Sequence, residues 1–283
     1  MRQRNIVVGI SLLSILIAIS IGVFVYSRTP EVDTNPIQSS TIEDQPLLLS
    51  DGDSQPEFDA SALQETLNTW QAGLPSGAVA GVAISTVDNE TLASINADEE
   101  FFAASIYKLY VAYEGYRAVD NGELDPNQLY LGDRTLKQCL DVMIRESDSP
   151  CAEKLWVELG KENLNTILDG YGLKHTSMTA ITTSAGDAAI VLSKIARGEG
   201  LSESSQAAYL ASMKDQIYAD TFDVGFSDDI MVYNKIGFRE LDEYHDVAIV
   251  ELPDGRGLIV SALTSNVGTA QLQDLAKEIQ RGT

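Results

Sequence analysis

Three short stretches place reactive side chains in one order along the chain. They are Ser105-Ile106-Tyr107-Lys108, Ser147-Asp148-Ser149 and Lys235-Ile236-Gly237. The first sets a hydroxyl and an amine three residues apart, which on a helix puts them on one face and within reach of each other. A serine hydroxyl becomes a useful nucleophile once a neighbouring base takes its proton. A lysine amine can be that base where burial or a second cation lowers its pKa. Lys235 offers the second cation, and the Ser147 hydroxyl offers a carrier for protons between groups. The set reads as a serine acyl-transfer site that works without histidine. A lone SxxK pair arises by chance in a chain this rich in serine, so the order and the setting of all three motifs carry the reading.

The settings are consistent with that use. Ser105 follows the apolar Phe101-Phe102-Ala103-Ala104 and opens a helical stretch to about Asn121. Ser147 falls at a break between two helical segments, and Lys235 lies in a strand-like run from Met231 to Gly237. Around them, an amphipathic helix is predicted from Ala60 to about Ala72, with Leu63, Leu67 and Trp70 on one face. Strands are predicted near 78–87 and 91–95, joined by a turn at Asp88-Asn89-Glu90, and again near 231–236, 244–252 and 257–264. Pro253-Asp254-Gly255 makes the last hairpin turn. The middle, from Ser105 to about Leu210, is mostly helical, and a helix over about 269–280 ends the chain.

With these motifs in hand, the chain resembles the penicillin-recognising serine enzymes, the class A β-lactamases and D-Ala-D-Ala peptidases, whose signature is SxxK, SDN and KTG. The resemblance runs from about Ala60 to the C-terminus and includes residues 182–197. It implies an α+β (α/β sandwich) fold: a five-stranded antiparallel sheet flanked by helices, plus an all-helical lobe, with the catalytic cleft between them. It implies Ser105 as nucleophile, Lys108 as its base, Ser147 as proton relay and Lys235 as positive charge near a substrate carboxylate. The oxyanion hole would be the backbone N–H groups of Ser105 and Phe238. The bland readings are a helix-capping serine, solvated lysines and a turn serine. Asp148 reads as a cap of the helix that starts near Cys151.

The chain departs from the family pattern in three places. Ser149 stands where the family usually has Asn and reaches less far toward a substrate amide. Ile236 replaces a hydroxyl residue that would bond the substrate carboxylate; Arg239 could compensate, and Gly237 would let substrate backbone approach the strand. The class A loop that carries the deacylating Glu is absent, because Gly172-Leu173-Lys174-His175 leads almost directly to Thr182. Glu162 and Asp187 are the nearest candidates for a substitute. The expectation is a serine hydrolase of the β-lactamase or D,D-peptidase type, acting on β-lactams or cell-wall D-Ala peptide amides with weak deacylation. The alternatives are a true β-lactamase with an unmatched base, and a catalytically silent domain that binds wall peptide or a protein.

The chain has 283 residues and a formal charge of −23. Such acidity argues against nucleic acid and other phosphate-rich partners, and suits a domain kept soluble outside the cell. Residues 6–26 form an uncharged run of about 21 residues, long enough to span a bilayer. Arg2 and Arg4 precede it, which predicts residues 1–5 in the cytoplasm and the rest outside. A cleaved signal is the competing reading, but the run is long and no A-x-A-like site follows. Residues 27–59, rich in Pro, Ser and acids, read as a tether, and residues 60–283 as the hydrolase domain. The expected location is the cell membrane, single-pass, with the domain extracytoplasmic and monomeric. Cys139 and Cys151 bracket Ser147 and are a disulfide candidate, with two buried thiols as the alternative. His175 and His245 are isolated, so no metal site is read, and no cofactor is implied.

Overall fold

The computed structural model describes residues 57–239 and 243–283. The predicted membrane segment 6–26, the cytoplasmic residues 1–5 and most of the tether lie outside the described residues. Among those described, no helix is long and apolar enough to cross a membrane.

Helix α1 (Ala60–Ala72) starts where Asp59 caps it, its carboxylate accepting from Ala62 N at 3.0 Å. Leu63, Leu67 and Trp70 recur at helical spacing and are its buried residues. Strands β1 (Val79–Thr86) and β2 (Thr91–Ile95) follow as a hairpin. Asn89 takes a left-handed φ of 66° in the turn, a conformation that Asn tolerates better than most residues. A short strand β3 (Phe101–Phe102) leads into the helical lobe. That lobe contains α2 (Tyr107–Asp120), the β4 (Leu129–Leu131) and β5 (Arg134–Thr135) hairpin, α3 (Leu136–Arg145), α4 (Ser149–Leu159), α5 (Lys161–Gly170), the short β6 (Thr182–Thr183), α6 (Ala185–Ala196) and α7 (Glu203–Lys214). A one-turn helix α8 (Phe222–Gly225) precedes β7 (Met231–Arg239), β8 (Glu243–Glu251) and β9 (Gly257–Ser265), and α9 (Thr269–Arg281) closes the chain.

The main sheet has five strands in the order β2-β1-β9-β8-β7, every pair antiparallel. This is the sheet that the sequence predicted. Its central strands are buried on both faces, so β8 and β9 read as continuous apolar runs. Alternate residues still divide between two cores, as the two-residue strand period requires. Ala248, Val250, Leu258 and Val260 pack with Leu63, Leu67, Leu272 and Ile279 of α1 and α9. Val247, Ile249, Ile259 and Leu263 pack with the helical lobe.

Two details differ from the expectation, and both bear on the site. Phe101–Phe102 and Thr182–Thr183 pair as a two-stranded ribbon, and Ala103 N donates to Ile181 O at 2.8 Å. Ser105 is not a capping serine: it sits in a 3₁₀ turn (Ala104–Ile106) ahead of α2, and neither segment has a side-chain cap.

Candidate active site

The nucleophile candidate is held in a strained turn. Ala104, which carries a Cβ, has a φ of +44°. Such a residue costs about 1–3 kcal/mol and persists where the surroundings over-determine it. Here they do. The β3–β6 ribbon fixes the chain on one side, and the β7 edge presses on the other. A Cβ at Gly237 would meet Ser105 N at 3.0 Å and Ile106 N at 3.2 Å. Gly237 therefore lets β7 approach the turn. The close contact is with protein backbone, where the sequence reading gave it to substrate.

Lys108, on the first turn of α2, is 1% exposed. Its amine lies 3.1 Å from Ser105 Oγ, 3.2 Å from Ser147 Oγ and 3.0 Å from Ser149 Oγ, and donates to Ser147 O at 2.5 Å. Four oxygens surround a group that has at most three hydrogens to give. As an ammonium it can donate to three of them, and once neutral its lone pair can accept the proton of one hydroxyl. Burial is the main reason that its pKa falls to about 8, against the opposing pull of Asp148 and Glu153.

Ser147 is placed by the break between α3 and α4. It adopts a φ of +56°. Asp148 then caps α4, accepting from Cys151 N at 2.8 Å, and pairs with Arg134 at 2.8 Å. The Cys139–Cys151 disulfide ties α3 to α4 across this turn, with Cα atoms 5.2 Å apart. Lys235 reaches the same hydroxyl from β7, donating to Ser147 Oγ at 3.1 Å and Ile236 O at 2.6 Å. Two amines thus converge on the two lone pairs of Ser147 Oγ, which leaves its O–H for a third group. Lys235 is fully buried. Burial first, and the neighbouring Lys108 second, hold its amine well below the ordinary lysine range. That setting disfavours the positive charge that the sequence reading gave this residue, while both of its hydrogen bonds are donated ones.

The structure thus brings Ser105, Lys108, Ser147, Ser149, Lys235 and Gly237 together. Phe238 continues the strand beside them, 46% exposed, with its ring against Tyr218 at 5.8 Å and Tyr244 at 6.2 Å. Arg239 is engaged elsewhere: it pairs with Glu243 at 2.6 Å and lies over the Phe102 ring at 4.3 Å. Two cavities, of about 590 Å³ between α1 and α9 and about 380 Å³ between β1–β2 and α6, hold none of these residues.

Neither candidate for a deacylating carboxylate joins the cluster in its hydrogen bonds. Glu162 is exposed on α5. Asp187 is 4% exposed in the first turn of α6 and accepts from His175 N at 2.7 Å and Thr176 Oγ1 at 2.8 Å. Burial raises its pKa despite these bonds.

Sequence reasoning passed over His245. It is 1% exposed. Thr264 N donates to its Nδ1 at 3.0 Å, so the proton sits on Nε2 and goes to Phe102 O at 2.8 Å. Burial lowers its pKa and keeps this neutral tautomer. The ring so anchors the strand three residues before Ser105. The one signal was a His-Asp pair opening a run of apolar residues destined for a strand buried on both faces.

Residues 62–281 match the model of the beta-lactamase enzyme family. No curated protein sequence matches the chain significantly. Among solved structures it is similar to an ancestral class A β-lactamase of Gram-negative bacteria, at TM-score 0.71 and 19% identity, over 78% of this chain and 100% of that one. It is similar to a β-lactamase from Xanthomonas campestris pv. campestris, at TM-score 0.70 and 21% identity, over 79% and 98%. It is also similar to a mutant of PBP-A solved as an acyl-enzyme complex with penicillin G, at TM-score 0.69 and 20% identity, over 78% and 95%. The neighbours share the fold, and the family model spans nearly the whole described domain. The chain belongs to the beta-lactamase enzyme family and is a serine hydrolase of the β-lactamase type.

Proposed function

We propose that the protein is a membrane-anchored, extracytoplasmic hydrolase that acylates Ser105 with β-lactams or cell-wall D-Ala peptide amides and releases the acyl group slowly. The observation that carries this reading is the Lys108 amine: buried, depressed in pKa, and within bonding distance of three serine hydroxyls.

In the acylation step the neutral Lys108 amine takes the Ser105 proton while Oγ bonds to the substrate carbonyl carbon. The carbonyl electron pair moves onto oxygen, facing the N–H groups of Ser105 and Phe238. Collapse of this intermediate breaks the carbon–nitrogen bond. The departing nitrogen takes the Ser147 proton, and the Lys108 ammonium restores it. Burial at the turn supports the exchange, because two amines and two hydroxyls trade one proton with little water between them.

Slow release rests on what surrounds the cluster. Asp187 is tied to His175 and Thr176, and Glu162 stands in solvent, so neither has the setting of a base that activates water. Loss of such a base costs about 10²–10⁴ in rate. The PBP-A neighbour, a leucine-to-glutamate mutant, is itself an acyl-enzyme with penicillin G. Ile236 brings no hydroxyl and Arg239 is paired with Glu243, so grip on a substrate carboxylate rests on the remaining polar groups. The anchor rests on residues 6–26 and the arginines before them.

Pre-steady-state kinetics with a chromogenic penicillin tests the reading. The expected result is a burst of about one equivalent and then near-zero turnover. Steady multiple turnover would establish an efficient β-lactamase, and neither burst nor turnover would establish a silent binding domain. For the anchor, the expected result is recovery of the intact chain in the membrane fraction; a soluble form beginning near Ser27 would overturn it.

A further inference from the structure

On the face of β7 turned away from Lys108, directly behind Lys235, lies a group of polar side chains that acylation does not use. Asn234 precedes Lys235 and Ile236 follows it, so both project to the opposite face. Asp246 on β8 stands across from Ile236 in the strand register. Asn234 and Asp246 are both fully buried. Asp246 Oδ2 accepts from Thr221 Oγ1 at 2.5 Å, Phe222 N at 3.0 Å and Asn234 Nδ2 at 3.2 Å. Asn234 Nδ2 also donates to Asp223 Oδ2 at 2.9 Å.

Two buried atoms of this group have no partner: Asp246 Oδ1 and Asn234 Oδ1. Both are acceptors while the carboxyl is ionised, and an orphaned buried acceptor carries its full desolvation penalty. One proton settles both. Placed on Asp246 Oδ1, it turns that atom into a donor and Asn234 Oδ1 into its acceptor. The existing N–H···Oδ2 bond then becomes the second side of a carboxylic acid–amide ring. We propose that Asp246 is a positioning residue that carries a proton in the resting protein and closes such a pair with Asn234, fixing β7 at Lys235. The role in catalysis rests on the reading of Lys235 given above; the proton does not.

The charged groups around Asp246 agree with the assignment. Asp223 faces it from α8, with Asp220 behind, and Lys235 acts on it from β7. From β9 the residue opposite is Ala262, and α9 brings Gln273 to Asp220 O. On its own strand, His245 lies on the other face with both ring nitrogens engaged. Burial, then the Asp223 carboxylate, push the Asp246 carboxyl up to about 7 against three hydrogen bonds. Asp223 is itself only partly buried, so the shared proton belongs on Asp246. A neutral Asp246 also withdraws a carboxylate that would favour charge on Lys235, in line with the lowered pKa of that amine.

The test compares the full chain, solubilised in detergent, with Asp246→Asn and Asp246→Leu. Infrared difference spectra of the unsubstituted protein at pH 6 should contain the band of a buried protonated carboxyl, missing from Asp246→Asn. The sign of the stability effect follows from linkage: a carboxyl raised from about 4 to about 7 binds more protons folded than unfolded across that window. The unsubstituted protein should therefore lose folding equilibrium relative to Asp246→Asn as pH rises from about 4 to about 7, by up to about tenfold per unit. Asn can rebuild the ring as an amide–amide pair and Leu cannot. Acylation should fall about 10- to 100-fold in Asp246→Leu and recover most of that loss in Asp246→Asn. Absence of the band at pH 6, or equal pH slopes in the two proteins, overturns the proton. Equal loss in both variants overturns the positioning role. If the unsubstituted protein forms no adduct at all, the reading of the site fails, and band and slope still decide the proton.

Discussion

Lys108 and Asp187 are both buried titratable groups in the helical lobe, and their surroundings could hardly differ more. Three of the oxygens around Lys108 are serine hydroxyls, groups that can reverse from acceptor to donor by a turn of the O–H bond. Asp187 is held by a backbone N–H and a threonine hydroxyl that is itself committed to Thr183 at 2.9 Å. The first arrangement can pass a proton on. The second ties the first turn of α6 to residues 175–176. Burial with a reversible partner marks chemistry here, and burial with a fixed partner marks structure.

That contrast can be broken at Lys108. Lys108→Ala should lower the acylation rate about 10²–10⁴-fold, the usual worth of a positioned base, as read by stopped-flow with a penicillin. In the unsubstituted protein the base form appears as the amine loses its proton, so acylation should rise with pH and level off above about 8. A flat profile across that range would remove Lys108 from the base role.

Gly237→Ala tests the turn that presents the nucleophile. The new Cβ would press on Ser105 N and Ile106. A displacement of about 1 Å costs about 10²-fold in rate, so acylation should fall by that order. Melting should move less, since overpacking typically costs about 1–3 kcal/mol.

Removing the disulfide with Cys139→Ala and Cys151→Ala tests the brace around Ser147. The loop it closes is short, and the expected loss is about 3 kcal/mol in denaturant unfolding.

The smallest effects belong to the carboxylates. Asp187→Asn should cost about 1–3 kcal/mol of stability and leave the deacylation rate alone. Glu162→Gln should stay within about 0.5 kcal/mol and also leave deacylation alone. A drop in deacylation in either variant would move that residue from structure to chemistry.

Much of this was legible in the sequence because periodicity survives without coordinates. Leu63, Leu67 and Trp70 announce α1, and the apolar runs of β8 and β9 announce strands covered on both faces. The order of the three motifs likewise named the cluster that the fold assembles. Other features leave no periodic trace. The two-residue strands β3 and β6 are too short for a pattern, yet they pin the chain ahead of Ser105. The left-handed turns at Ala104 and Ser147 carry no glycine to signal them. Arg239 looked available for a substrate carboxylate until β8 set Glu243 beside it. His245 and Asp246 acquire their roles only when β7, β8 and β9 align, because their partners lie 12–143 residues away in the chain.

The central claim is that Ser105 is a nucleophile activated by Lys108. The most direct measurement is intact-mass and peptide mass spectrometry after incubation with a penicillin. The account predicts one added acyl mass, mapped to the peptide that contains Ser105 and absent from Ser105→Ala. An adduct that persists in Ser105→Ala, or maps to another residue, would contradict it.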